Sequence, residues 1–140
     1  MSILKRGYLK RVAIGLAASI AIGLTTVLTH DIIWAISGGF PITPIWREET
    51  SSQVLIACAP FLVLSVCGIG ARRPWIVGLC LTGALWGYYL WDSTHYKGGG
   101  ANIGLGILMI FSPILITGAC LFAYATSAER RIAGGKKVGR

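Results

Sequence analysis

Two short clusters of histidine and aspartate carry the side chains best suited to chemistry in this 140-residue sequence. His30 is followed by Asp31, and Asp92 comes shortly before His95. Imidazole and carboxylate groups together are ligands for zinc and other divalent metals. If both clusters lie at the same depth of one helical bundle, their four side chains form a candidate metal site.

A second interpretation of the same residues needs no metal, and we favour it. Each aspartate then caps a helix or pairs at a membrane boundary, and each histidine bonds a carbonyl or a lipid headgroup. At about 100° per residue, Asp92 would lie about 140–180° from Gly87 and Gly83, away from their shared face. A haem held by two histidines is disfavoured, because we expect His95 on a loop. We therefore expect no cofactor, with a divalent metal as the alternative.

No other pattern in the sequence predicts catalysis. Cys58, Cys67, Cys80 and Cys120 form no CxxC pair and fall within apolar runs, where we expect them to act as small packing residues. No nucleophilic triad, phosphate-binding loop or nucleotide-binding fingerprint is present. No ionisable residue lies near the middle of a predicted helix, which disfavours a proton-coupled carrier. We expect that the protein is not an enzyme.

The elements that position these residues are long apolar runs. Hydrophobic residues make up 54% of the sequence and charged residues 13%, against about a quarter charged in ordinary soluble domains. About 20 apolar residues cross a bilayer as a helix. The uncharged runs predict an all-α, polytopic membrane protein that forms one domain over residues 1–140. Its four predicted transmembrane helices cover residues 12–35, 52–70, 74–92 and 102–128.

The basic residues predict how these helices sit in the membrane. All but two of the 13 lysines and arginines lie before the first predicted helix, between the second and third, or after the fourth; the exceptions are Arg47 and Lys97. The positive-inside rule then places both termini in the cytoplasm. The short basic tails should contact anionic headgroups rather than nucleic acid. A bacterial inner membrane is the expected location, with the mitochondrial inner membrane as a less favoured one.

Small residues spaced four apart predict where the helices pack. Such spacing allows two helices to approach closely within a membrane. His30 falls within about 20° of Ser19 and Gly23 on a helical wheel, so we expect it on a packed face. The predicted helix-packing residues are Gly15, Ser19, Gly23, Gly83, Gly87, Gly100 and Gly104.

Together these patterns predict a non-catalytic structural or accessory subunit that packs with itself or with other membrane subunits. The alternative is a small transporter, or a metal- or ligand-handling membrane protein with its site at the periplasmic mouth. That alternative depends on whether His30, Asp31, Asp92 and His95 converge.

Overall fold

The computed structural model describes residues 3–42, 46–95 and 102–135, which form four α-helices and no strand. The helices are α1 (Ile3–Gly38), α2 (Glu48–Val66), α3 (Arg72–His95) and α4 (Ile103–Gly135). The predicted all-α fold with four helices is therefore confirmed. By length and composition, three helical segments are apolar enough to cross a membrane: Gly7–Gly38, Glu48–Val66 and Ile103–Ala128.

The third helix, α3, does not reach the same apolarity, although its 24 residues are long enough to span a bilayer. Its sequence contains Trp75, Trp86, Tyr88, Tyr89 and Trp91. Tryptophan and tyrosine rings are amphipathic and favour the membrane interface, so they make the helix less hydrophobic than its aliphatic residues alone would.

Helix α1 begins earlier than predicted and α2 is displaced towards the N-terminus. Residue 12 is the predicted start of the first helix because Lys10 and Arg11 precede it, but lysine and arginine are good helix formers and do not end a helix. The predicted start of α2 at residue 52 is also wrong. Instead, the Thr50 hydroxyl accepts a hydrogen bond from the Arg47 N–H at 3.0 Å, and the Thr50 N–H donates to the Arg47 carbonyl at 3.1 Å. Thr50 thus belongs to the first turn.

Two glycines end the first two helices by adopting the left-handed conformation. Gly68, with φ of 66°, stops α2 at Val66 instead of residue 70. The Ile69 N–H donates to the Leu64 carbonyl and the Gly68 N–H to the Ser65 carbonyl, both at 2.9 Å, which is the Schellman arrangement. Gly39, with φ of 67°, ends α1 in the same way.

Helix α3 continues to His95, three residues beyond its predicted end, so the prediction that His95 lies on a loop is wrong. Helix α4 begins one residue later than predicted, where the Asn102 carboxamide oxygen accepts the Leu105 N–H at 3.1 Å and caps the helix. Helix α4 then extends beyond residue 128 to Gly135.

Helices α1 and α2 pack antiparallel along the small residues of α1. Ser19 is fully buried, and its hydroxyl lies 3.0 Å from that of Ser65. A Cβ atom at Gly15 would lie 2.7 Å from the Ser65 hydroxyl oxygen, and one at Gly23 would lie 2.8 Å from the Cys58 Cβ. The two glycines are therefore in contact with α2, at separations that only glycine permits.

The other predicted packing glycines make no comparable contact in the part of the chain that the structure describes. A Cβ at Gly83 or Gly87 would meet nothing within 4 Å, and both residues are exposed on α3. One at Gly104 would meet only the Asn102 carboxamide oxygen, at 3.6 Å. Gly100 lies outside the described residues.

The interior consists of two layers of side chains. One layer takes a residue from each helix: Val27, Ala57, Trp86 and Met109. The other lies towards the opposite end of the bundle and comprises Leu64, Ile69, Ile116 and Cys120. Helix α1 contacts α2 and α3, and α4 contacts the same two helices from the other side.

These contacts define two ends of the bundle, which we name after a residue at each. The His30 end contains the last turns of α1 and α3 and the first turns of α2 and α4. The Arg72 end contains the connection between α2 and α3, together with the start of α1 and the later part of α4.

Candidate functional site

His30 is held inside the bundle by three side chains at the His30 end. Its ring stacks on Tyr89, with centroids 4.9 Å apart, and meets the edge of Trp86 at 5.4 Å. Its Nδ1 lies 3.1 Å from an Asp31 carboxylate oxygen. Only 8% of the residue is exposed, so the prediction that His30 lies on a packed face is confirmed.

Within the residues that the structure describes, the second nitrogen of His30 has no hydrogen-bond partner. An ionised carboxylate only accepts hydrogen bonds, so the bond to Asp31 requires a proton on Nδ1. In the neutral imidazole, Nε2 then carries a lone pair, and this atom is buried with no donor among the described residues. A buried polar atom left unpaired costs about 1–3 kcal/mol. The Asp31 carboxylate therefore fixes the orientation of the His30 ring, and the described residues leave its Nε2 lone pair unused.

A cavity of about 350 Å³ lies beside this histidine. Helices α1, α2 and α3 all contribute to its wall, as does the residue that precedes α2. The polar side chains that line it, besides His30, are Asp31, Arg47, Glu49, Thr50, Gln53 and Ser93, and the aromatic ones are Trp34 and Tyr89.

Arg47 and two aromatic side chains form a stack beside the cavity. The Arg47 guanidinium carbon lies 5.0 Å from the centre of the Trp34 ring, within the range of a cation–π contact. Phe40 also stacks on Trp34, with centroids 4.8 Å apart. These contacts attach the α1–α2 connection to the end of α1, and they place the Arg47 charge in the same wall as Asp31 and Glu49.

Asp92 and His95 do not join His30 and Asp31. The Asp92 carboxylate oxygens accept hydrogen bonds from the Asn102 carboxamide nitrogen at 3.2 and 3.3 Å, and these bonds link the end of α3 to the start of α4. His95 is exposed; its Nδ1 donates to the Trp91 carbonyl at 2.9 Å, and its ring stacks on that of Trp91.

The described residues accordingly contain no group of three or more His, Cys, Asp or Glu side chains that could hold a metal ion. The structure brings His30 and Asp31 together and gives Asp92 and His95 separate local partners. This geometry lends no support to a metal site made of all four residues.

No known protein family, curated protein or solved structure matches this chain. Its function therefore has to be argued from its own residues.

Several residues of the cavity were not predicted as site residues. Tyr89 has the amphipathic ring that is typical of a membrane interface, and Arg47 lies outside the predicted helices. Glu49 and Gln53 enter the wall because α2 begins at Glu48. A sequence signal could have identified Glu49 and Gln53, because they are four residues apart and therefore share a helix face.

Proposed function

We propose that all four helices cross the membrane, with both chain ends in the cytoplasm of a bacterial cell. The described end of α2 and the start of α4 lie at opposite ends of the bundle, so the chain between them must travel its full length. Within lipid, a single segment satisfies its own backbone hydrogen bonds only as a helix. Helix α3 packs against α1 and α4 along this path, which supports a fourth span despite its aromatic content.

The distribution of charge supports the proposed orientation. The described segments at the Arg72 end contain one acid, Glu129, and these basic residues: Lys5, Arg6, Lys10, Arg11, Arg72, Arg73, Arg130 and Arg131. Asp31, Glu48, Glu49 and Asp92 belong to the opposite end. An excess of lysine and arginine marks the cytoplasmic side.

Within this membrane, we propose a non-catalytic subunit that associates with a second copy of itself, or with another membrane protein, through α3. The observation that carries this proposal is the contrast between two sets of small residues. Gly15 and Gly23 are in contact with α2, whereas Gly83 and Gly87 are exposed and have open space where a Cβ would lie. A face that permits close approach and has no partner among the described residues suits a helix from another chain.

Purified protein allows the self-association version to be tested. The wild type in mild detergent or a nanodisc should form particles of at least two copies. Gly83→Leu should weaken the association by at least about tenfold, equivalent to ~1.4 kcal/mol, because the leucine keeps the helices apart. Particle mass measured over a concentration series gives the dissociation constant.

Gly106→Leu is the matched control for that variant. Gly106 is also exposed, with open space around it, but it lies on α4. The control should associate like the wild type. A strictly monomeric wild type, or equal losses in the two variants, would count against an α3 interface.

A second candidate function, ligand handling at the His30 end, is favoured by the cavity beside His30. Among the described residues, the His30 Nε2 is unpartnered and can accept a hydrogen bond, and the cavity wall contains two carboxylates, Asp31 and Glu49, against one positive charge, Arg47. This combination favours a ligand that donates hydrogen bonds and carries positive charge, such as a primary ammonium.

Ethanolamine at neutral pH is a suitable probe, with Zn²⁺ titrated in parallel to test the metal alternative. Binding can be followed by the fluorescence of Trp34, which lines the cavity, and Trp86, which contacts His30. Asp31→Asn should weaken ethanolamine binding by about tenfold or more, because it removes one carboxylate charge near the ligand. His95→Ala should bind like the wild type. Equal affinities in all three proteins, or no binding to the wild type, would exclude this ammonium site.

A further inference from the structure

An apolar cleft of about 440 Å³ opens at the Arg72 end, remote from the His30 cavity. Helix α1 forms one wall with Ile14 and Ala18, and α3 forms the other with Trp75 and Ile76. The Trp75 indole N–H donates to the Ile69 carbonyl at 2.8 Å, which holds the ring against the turn between α2 and α3. The cleft is therefore a built feature of three helices, and its volume lies in the range of about 300–1,000 Å³ that is usual for ligand sites.

Two arginines are among the residues that line this cleft. Arg11 comes from α1 and Arg72 from the first residue of α3. No acidic residue lines the cleft, and neither arginine forms an ion pair within the part of the chain that the structure describes. The site thus combines an apolar wall with positive charge that has no partner there.

We propose that this cleft binds one acidic phospholipid, with its phosphate at Arg11 and Arg72 and an acyl chain along Ile14, Ala18 and Ile76. Guanidinium groups bind phosphate oxygens with paired hydrogen bonds. Basic pockets between transmembrane helices on the cytoplasmic side suit anionic headgroups. The charge of the cleft distinguishes such a lipid from a zwitterionic one, and its apolar wall distinguishes a lipid from free phosphate.

This inference rests on the proposed membrane insertion and orientation, but it does not depend on the α3 interface. Helix α3 contributes Arg72, Trp75 and Ile76 to the cleft, whereas Gly83 and Gly87 lie further along the helix. The Gly83→Leu variant should consequently bind the lipid like the wild type. Failure of association and failure of lipid binding can therefore be told apart.

Native mass spectrometry of the full-length protein can count bound lipids during titration with phosphatidylglycerol. Phosphatidylcholine with identical acyl chains and inorganic phosphate serve as the other two probes. The double variant Arg11→Gln/Arg72→Gln should bind phosphatidylglycerol at least about tenfold more weakly, because two favourable charges are removed. Lys10→Gln/Arg73→Gln removes the same charge from neighbouring residues that do not line the cleft, and it should bind like the wild type.

A second variant tests the apolar part of the cleft without removing charge. Gly70 lines the cleft and has open space around its Cβ position, so Gly70→Leu should occupy the cleft and also reduce phosphatidylglycerol binding. Thermal unfolding of each variant checks that it is folded. The proposal is overturned if phosphatidylcholine binds as tightly as phosphatidylglycerol, or if inorganic phosphate displaces the lipid. It is also overturned if Arg11→Gln/Arg72→Gln and Lys10→Gln/Arg73→Gln lose the same affinity for phosphatidylglycerol.

Discussion

Gly23→Leu is expected to lower the free energy of unfolding by about 2–3 kcal/mol, the upper part of the usual range for overpacking a close contact. A Cβ at this position would lie 2.8 Å from the Cys58 Cβ and 3.0 Å from the Val54 carbonyl oxygen. The carbonyl belongs to the backbone of α2 and cannot rotate away, so the two helices have to separate. Titration of the detergent-solubilised protein with a denaturing detergent, followed by circular dichroism, measures the change.

Gly118→Leu is the control for this variant, because Gly118 lies on α4 and has nothing within 4 Å of its Cβ position. It makes the same change of residue type at an exposed position, and its unfolding should stay close to that of the wild type. If the two leucine variants unfold alike, the close approach of α1 and α2 is not what limits stability.

Trp86→Ala is expected to cost about 3–5 kcal/mol, the usual loss for truncating a buried tryptophan. Trp86 is 4% exposed and belongs to the layer that takes one residue from each helix. It also makes an edge-to-face contact with the His30 ring. Its removal leaves a cavity at the point where all four helices meet, so the same unfolding measurement should show a large loss.

Trp91→Ala is the matched control on the same helix. Trp91 is 56% exposed, and its replacement should change the unfolding free energy by less than about 1 kcal/mol. Similar losses in the two variants would mean that the Trp86 layer does not form the centre of the bundle.

The burial of His30 and the helical content could be predicted from the sequence because both follow from regular geometry. A wheel of 100° per residue places His30 near Ser19 and Gly23, and the structure buries all three. Long apolar runs predict helices for the same reason. These inferences require only the spacing of residues along one helix.

Helix ends were harder to predict because they depend on conformations that the residue type alone does not determine. Gly68 and Gly70 are both suitable for ending a helix, but only Gly68 has positive φ. Thr50 resembles the residue before a helix, yet it lies inside the first turn of α2. From residue type alone, Gly70 is an equally reasonable end for α2, and Thr50 is an equally reasonable residue to precede its start.

The candidate site required contacts between helices, which spacing along one chain does not reveal. Asp92 has the chemistry of a metal ligand, but it accepts a hydrogen bond from Asn102 across the α3–α4 connection. Tyr89 resembles a membrane-interface residue, but its ring stacks on His30. The placement of α3 relative to α4 decides the first contact, and its rotation relative to α1 decides the second.

Exposed Cys80 provides a native probe of association through α3. It lies within about 60° of Gly83 and Gly87 on the helical wheel, and Cys67 is the only other exposed cysteine in the described chain. Two copies that pack symmetrically through this face would bring their Cys80 residues to the same depth. A disulfide between them requires Cα atoms about 4.4–6.8 Å apart.

Oxidative cross-linking in native membranes is the most direct test of the central proposal, association through this face of α3. A covalent dimer should form in the wild type and in Cys67→Ser. It should be lost in Cys80→Ser and reduced in the double variant Cys67→Ser/Gly83→Leu. Absence of a dimer in Cys67→Ser, or an equal yield of dimer in Cys67→Ser/Gly83→Leu, would contradict self-association through α3.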